Sequence, residues 1–181
     1  MHGRKRQTPE EAASRREAAL PRVKALRALQ ADVVRRRRDR VHTAESMAVV
    51  GRLLEINPEV LTAWNFRREA IVFAGCAPER RRTNNLERTR SFAPTLADEL
   101  ALTERCLRKH PKSYPTWHHR KWCVARAARG EDSESEQVSS LLETELSMSK
   151  SLLDLDDRNF HGWGYRRFVV ALMSTRGGGS D

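Results

Sequence analysis

Histidine and cysteine are the side chains of this 181-residue chain best able to bind a metal or act as a nucleophile. His118 and His119 are adjacent, so a helix turns them about 100° apart and disfavours a shared metal. The cysteines Cys76, Cys106 and Cys123 form no Cys-x-x-Cys pair and fall inside apolar helical patterns, which predicts buried free thiols and a reducing, cytoplasmic setting. No group of Cys, His and carboxylate has zinc-ligand spacing, so the sequence predicts no metal site in this chain.

Three copies of one sequence motif, called the phrase below, predict the architecture. Each copy has a helix-starting residue, then an aromatic residue or leucine, a tryptophan and an arginine, all three positions apart. The copies are Pro58, Leu61, Trp64, Arg67; Pro111, Tyr114, Trp117, Arg120; and Asp157, Phe160, Trp163, Arg166. The tryptophans lie 53 and 46 positions apart, which suits two helices per repeat. The sequence therefore predicts an all-α fold, a right-handed superhelical array of antiparallel helical hairpins.

The spacing of the phrase also predicts its structural role. Positions three apart share a helix face, so the first aromatic, the tryptophan and the arginine should form one stripe. A tryptophan buried between stacked pairs supplies a large contact area, and the arginine can lie over the ring and reach a carboxylate or a helix C-terminus. We expect these residues to hold neighbouring hairpins together.

Six segments are expected along the chain. A basic helical arm covers residues 1–42, where Thr8, Pro9 and Glu11 form a capping box and Pro21 predicts a kink or break. Three helical-hairpin repeats follow within residues 43–174, at about 43–75, 95–130 and 137–174. An Arg-rich insertion at about 76–94 separates the first two, and residues 175–181 are expected to be a flexible end.

The net charge of +10 is unevenly distributed. Residues 1–40 carry a surplus of eight positive charges and residues 79–90 a surplus of three, so the repeats are close to neutral. A nucleic-acid footprint would run along the array, so the sequence predicts no nucleic-acid binding. The apolar runs are far too short to span a bilayer, which predicts that the chain is not an integral membrane protein.

Three strings carry a family resemblance. NPEVLTAWNFRREAIV, HPKSYPTWHHRKWCV and DDRNFHGWGYRRFVV resemble the repeats of protein prenyltransferase alpha subunits, most closely in the branch that transfers geranylgeranyl groups to Rab GTPases. This resemblance implies a crescent of hairpins around a beta subunit, which holds the catalytic zinc and binds geranylgeranyl diphosphate. It further implies that the substrate is the C-terminal cysteines of a Rab GTPase, presented by a Rab escort protein.

The resemblance also implies where this chain takes part in the reaction. In such subunits polar residues near the lipid diphosphate lie just ahead of the repeated tryptophans, which assigns that role here to Lys112, Tyr114 and His161. The first repeat has Glu59 and Val60 in this place, which do not suit an anion. On the residues alone, Lys112 and His161 equally suit a solvated helix start, and the Tyr114 ring can be structural.

One further residue and two alternative functions remain open. His2, on a basic end, can reach the partner's zinc in the implied assembly. The chain can instead be a helical-repeat adaptor without chemistry, although its intervals differ from the roughly 34 residues of tetratricopeptide units. It can also be an inactive truncated alpha subunit, because such subunits are expected to carry more than three repeats.

Overall fold

A computed structural model of the chain describes residues 8–76, 92–129 and 135–177. The described part contains seven helices: α1 (Pro9–Arg38), α2 (Ala44–Ile56), α3 (Leu61–Cys76), α4 (Leu96–Lys109), α5 (Tyr114–Ala128), α6 (Ser135–Leu155) and α7 (Phe160–Gly177). The all-α fold of helical hairpins is thereby confirmed, and the right-handed sense of the array stays a prediction. Helix α7 continues beyond residue 174, where the sequence placed the end of the third repeat.

The hairpins α2/α3, α4/α5 and α6/α7 stack in two layers. In one layer the first helices α2 and α4 contact each other. In the other layer the second helix α5 contacts both α3 and α7. One group of buried side chains joins α1, α2 and α3 to Leu102 and Cys106 of α4, and a second begins at Leu107 of the same helix and runs to α7. Helix α4 therefore links two successive parts of an elongated core, as expected of a repeat array.

Helix α1 begins as predicted but is not interrupted. The Thr8 side chain accepts a hydrogen bond from the Glu11 backbone N–H at 3.2 Å, and the Glu11 carboxylate accepts one from the Thr8 N–H at 3.1 Å, which confirms the capping box. The helix then continues through Pro21, so the break predicted there is wrong. Pro21 and the preceding turn are exposed, and water can bind the carbonyl that the proline leaves without a donor.

The end of α1 packs as part of the array. Val33 is buried, and three positions later Arg36 donates to Ser46 Oγ at 3.2 Å and to Glu45 at 2.9 Å. This repeats the three-residue spacing of the tryptophan and arginine in the later hairpins. Helix α1 therefore takes the place of a second helix ahead of α2.

Each repeated tryptophan fixes the turn that precedes its own helix. The indole N–H donates to the carbonyl six positions earlier, from Trp64 to Pro58 at 2.8 Å, from Trp117 to Pro111 at 2.8 Å and from Trp163 to Asp157 at 2.7 Å. The phrase needs only a carbonyl at its first position. This is why aspartate can stand there in the third copy.

The arginines join each hairpin to the next through buried ion pairs. Arg67 contacts Glu99 of α4 at 2.5 Å, and Arg120 contacts Glu145 of α6 at 2.6 Å, with all four side chains at most 5% exposed. Each arginine, Arg166 included, also donates to a carbonyl of the first helix in its own hairpin. The acceptors are Met47, Leu100 and Leu146. One side chain therefore holds a hairpin together and, in the first two repeats, sets its position against the next.

The residue two positions after the tryptophan completes each junction. The His119 ring lies 4.6 Å from the Trp64 ring, and its Nε2 is 2.7 Å from the Glu99 carboxylate. One repeat later, the Tyr165 ring lies 5.1 Å from Trp117 and its hydroxyl donates to Glu145 at 2.5 Å. A junction therefore consists of a ring packed at a tilt against the preceding tryptophan and a buried carboxylate that binds both this ring and the arginine.

Two parts of the predicted stripe are wrong. Trp163 is 47% exposed, because no described helix packs on the face where the next hairpin covers Trp64 and Trp117. The residues at the first position are also exposed, at 56% for Leu61, 59% for Tyr114 and 72% for Phe160. They lie in the first turns of their helices, at one edge of the array, which we call the rim.

The buried pair at the second junction predicts a large difference between two arginines. We expect Arg120→Met to lower the free energy of unfolding by about 3 kcal/mol, because it leaves the Glu145 charge buried without its partner. Arg166→Met removes one half-exposed hydrogen bond and should cost about 1 kcal/mol. Urea denaturation of the two variants measures both values, and equal losses would contradict this view of the junction.

The first junction predicts a fall in stability on acidification. Burial lowers the pKa of His119 below its ordinary value of 6.5, against the opposing effect of Glu99. The unfolded chain therefore binds this proton first, so stability is present above about pH 6.5 and is lost as the pH falls toward the lower pKa of the folded state. Urea denaturation at pH 7 and pH 5 should show the loss, and His119→Gln should reduce it. The exposed His110→Gln is the control, and an unchanged slope in His119→Gln would refute the prediction.

Candidate functional site

The structure brings the three predicted site residues to one stretch of the rim. Lys112 lies in the turn between α4 and α5, Tyr114 is the first residue of α5, and His161 is the second residue of α7. The Tyr114 and His161 rings are 6.0 Å apart, and Lys112 Nζ lies 3.2 Å from the carboxylate of Asp156, in the turn that leads to His161. Two consecutive hairpins therefore contribute to one polar surface. Their catalytic role stays a prediction.

Both turns are held in the same way. The Ser113 N–H donates to the His110 carbonyl at 3.0 Å, and the Asn159 N–H donates to the Asp156 carbonyl at 3.1 Å. The indole of Trp117 then anchors the first turn through the Pro111 carbonyl. The packing tryptophans thus position the polar residues that stand beside them.

Asn159 connects the two turns and was missed by the sequence analysis. Its side-chain oxygen accepts hydrogen bonds from the N–H groups of His161 at 3.1 Å and Gly162 at 3.4 Å, and its amide donates to the Pro111 carbonyl at 2.8 Å. The side chain is 1% exposed. An asparagine directly ahead of a helix signals an N-cap, but the bridge to Pro111 depends on the stacking of hairpins and has no sequence signal.

The charges at the rim favour an incoming anion. Lys112 is 67% exposed, and its hydrogen bond with Asp156 lowers the pKa of that carboxyl. An exposed ion pair of this kind contributes little to stability, so a more highly charged anion can displace Asp156 from the lysine. The first turn of α5, which has no side-chain cap, adds backbone N–H groups, and both helices add the positive ends of their dipoles.

His118 is a further member of this surface. Its ring stacks on Tyr114 with centroids 5.8 Å apart, and it is exposed. Partial burial and the cations Arg68 and Lys121 lower its pKa, which favours the neutral ring. The sequence analysis considered His118 only as a metal ligand, because its stacking partner could not be inferred from spacing.

One group of possible metal ligands comes together among the described residues, and the prediction of no metal site in this chain stays a prediction. Glu99, His119 and Cys123 have ligand atoms within 4.8 Å of one another. Their positions serve the first junction instead: Glu99 binds Arg67 and His119, and burial raises the pKa of the Cys123 thiol to about 12. Because the Glu99 carboxylate already pairs with the Arg67 guanidinium, the three side chains are not suited to bind a metal cation.

The remaining predictions can be checked only in part, because some of their residues lie outside the described structure. Cys106 and Cys123 are buried free thiols, as predicted, and the Cys76 side chain lies outside the described part. His2, most of the Arg-rich insertion and residues 178–181 also lie outside it. None of the described helices combines the length and the apolar character required to cross a membrane.

Stacked hairpins with a fixed tryptophan and arginine in every second helix define an α-helical repeat protein. The protein prenyltransferase alpha subunit repeat matches residues 96–127 and 142–173, which are the second and third hairpins. The chain therefore contains two matches to this repeat. Its first hairpin lies outside the two matched segments, and it has Leu61 where the other two have Tyr114 and Phe160 and Glu59 where the second has Lys112.

Curated relatives agree with this match. The geranylgeranyl transferase type-2 subunit alpha of Bos taurus is 35% identical over 178 residues, which cover 94% of this chain and 27% of the relative. Subunit alpha 2 of Arabidopsis thaliana is 32% identical over 97% of this chain and 24% of the relative, and the Candida albicans subunit alpha is 33% identical over 96% and 44%. The chain thus spans between a quarter and a half of the length of these relatives.

The bridge made by Asn159 can be tested by separating its two functions. We expect Asn159→Ser to keep the N-cap, lose the bond to Pro111 and cost about 1 kcal/mol of unfolding free energy. Asn159→Ala removes both and should cost about 2 kcal/mol. Urea denaturation gives the values. Equal stability of the alanine variant and the wild type would show that the bridge does not hold the two turns.

Proposed function

We propose that this chain acts as an alpha subunit of a heterodimeric protein geranylgeranyltransferase. The enzyme would transfer geranylgeranyl groups from geranylgeranyl diphosphate to C-terminal cysteines of Rab GTPases, which an escort protein presents in the cytoplasm. The observation that carries the proposal is the convergence of Lys112, Tyr114 and His161 on one exposed rim. The repeat matches and the names of the curated relatives support the same class of reaction.

The reaction defines what such a rim must do. Zinc held by the beta subunit supplies the substrate cysteine as a thiolate. The C–S bond forms at carbon one of the lipid while the C–O bond to the diphosphate breaks, so negative charge builds on the departing diphosphate. This chain would contribute groups that stabilise that charge.

Lys112 is suited to this task because it is exposed and its ion pair with Asp156 is weak. Its ammonium can leave Asp156 and bind a diphosphate oxygen, where a compact cation stabilises charge that the ground state lacks. The hydroxyl of Tyr114 and the imidazole of His161 can donate hydrogen bonds from the adjoining helix starts. The neighbouring N-termini favour the same anion through their dipoles.

The exposed apolar residues of the rim support a subunit interface at the same place. Leu61, Tyr114 and Phe160 are each more than half exposed, although they recur at a fixed position in all three hairpins. Large apolar side chains that recur at one edge suit a surface that a second protein covers. Covering this edge would also exclude water from the site and strengthen its electrostatics.

The main alternatives are a non-catalytic adaptor and an inactive form of the subunit. Assembly with a prenyltransferase beta subunit separates the first from an enzyme, and turnover of the assembled complex separates the second. Co-expression with a type 2 beta subunit followed by size-exclusion chromatography is the direct measurement. Failure to co-elute, where a full-length alpha subunit does so, would refute the proposed function.

Within an assembled complex, Lys112 should control the chemical step. We expect Lys112→Ala to lower kcat by about 100-fold, because it removes a cation aimed at the leaving group. Tyr114→Phe and His161→Ala should each have a smaller effect, about 10-fold. Single-turnover transfer of the lipid to a Rab substrate gives these rates.

The matched control is Lys109→Ala. Lys109 is similarly exposed, but its ion pair is with Glu55 of α2, at 3.7 Å. This variant should assemble and turn over like the wild type. If Lys112→Ala retained full turnover in a complex of normal assembly, the proposed role of Lys112 would be wrong.

A further inference from the structure

A second surface begins beside the rim, at Thr62, and runs along the outer face of α3. Here a groove with a volume of about 870 Å³ runs between the C-terminal end of α1 and Trp122 of α5. We call it the basic groove, lined chiefly by Arg37, Arg40, Arg68, Val72, Phe73 and Trp122. From Thr62 to Phe73 it follows eleven positions of helix, or about 16 Å. That length accommodates about five residues of an extended peptide.

The basic groove contains cations that the described residues leave without a carboxylate. Arg37 binds Glu69 through three hydrogen bonds, and Arg38, which also lines the groove, binds Asp39. Among the described residues, no carboxylate lies within ion-pair distance of Arg40 or Arg68. The lining therefore carries positive charge that is free to meet an anion.

Arg68 is the most distinctive of these cations. Its guanidinium carbon lies 5.3 Å from the centre of the Trp122 ring, and its Nε donates to His119 Nδ1 at 3.2 Å. Burial lowers the pKa of this guanidinium, whereas the buried Arg67 and Arg120 each have a glutamate. A partly buried guanidinium that is held over an aromatic ring can bind a carboxylate in a defined orientation.

Apolar surface adjoins these cations. Val34, Val72 and Phe73 are 56%, 43% and 51% exposed along the groove. The His42 ring, 5.6 Å from Phe73, is 6% exposed, and its Nε2 is a buried nitrogen without a hydrogen-bond partner in the described structure. The wall of the groove therefore offers apolar contacts, and an unsatisfied histidine nitrogen lies buried behind it.

We propose that the basic groove binds an acidic peptide segment of a partner protein. A carboxylate of the peptide would bind Arg68 and Arg40, and a neighbouring apolar side chain of the peptide would contact Val72 and Phe73. The length of the groove, its charge and its exposed apolar strip all suit such a segment. Only two of its arginines lack a carboxylate, which is too few for a track of nucleic-acid phosphates. This inference is independent of the proposed prenyl-transfer function.

Fluorescence anisotropy with the full chain tests the groove. The probe is a fluorescein-labelled peptide of alternating glutamate and leucine, about five residues long. A peptide with lysine in place of glutamate is the charge control. We expect the acidic peptide to bind, its affinity to fall with added salt, and Arg68→Gln and Arg40→Gln each to weaken binding roughly tenfold.

Arg126→Gln is the matched variant. Arg126 also lies near the Trp122 ring, at 5.9 Å, but it does not line the groove, so this change should leave binding unaltered. If Arg68→Gln disturbs the fold through His119, the exposed Arg40→Gln decides the outcome. Equal binding of acidic and basic peptides, equal weakening by Arg126→Gln, or tighter binding of a single-stranded oligonucleotide would each overturn the proposal.

Discussion

The buried pair of arginine and glutamate is the interaction on which the array depends. Two charges taken out of water are stabilising only when the geometry is good and the remaining hydrogen-bonding positions are filled. Arg67 and Arg120 meet this condition through a carboxylate on the next hairpin and a carbonyl on their own. A hairpin shifted along its neighbour would leave a buried charge without a partner. The pair therefore sets the position of one hairpin against the next more strictly than apolar packing does.

The junctions share a plan but differ in chemistry. At the α1 junction Ser46 stands where the others have glutamate, and the ring two positions after the tryptophan is Phe66, which needs no polar partner. The first junction between hairpins uses His119, which can titrate, and the second uses Tyr165, whose pKa burial raises. The carboxylate and the polar ring thus occur together, because both are buried and each is the hydrogen-bond partner that the other needs.

Much of this fold could be predicted from the sequence, because hairpin length, helix starts and the buried Trp64 and Trp117 depend on local spacing. The partners of the arginines could not be predicted, because Glu99 and Glu145 lie on other helices and resemble the many exposed glutamates of the chain. The exposure of each residue in the stripe also depends on whether the neighbouring hairpin covers that residue. The spacing treated Tyr114 as a buried member of the stripe, whereas the structure places it on the rim.

The same distinction explains where the candidate site lies. A residue that packs at a junction is fixed by both neighbours, and so Trp117 or Arg120 can hardly change its contacts during a reaction. Lys112 and His161 are anchored only through their turns, which the tryptophan and Asn159 hold in place from below. The Lys112 side chain remains free to exchange Asp156 for another anion. Because the junctions fix the distance between successive helix starts, two separate hairpins can present polar groups to one ligand at the rim.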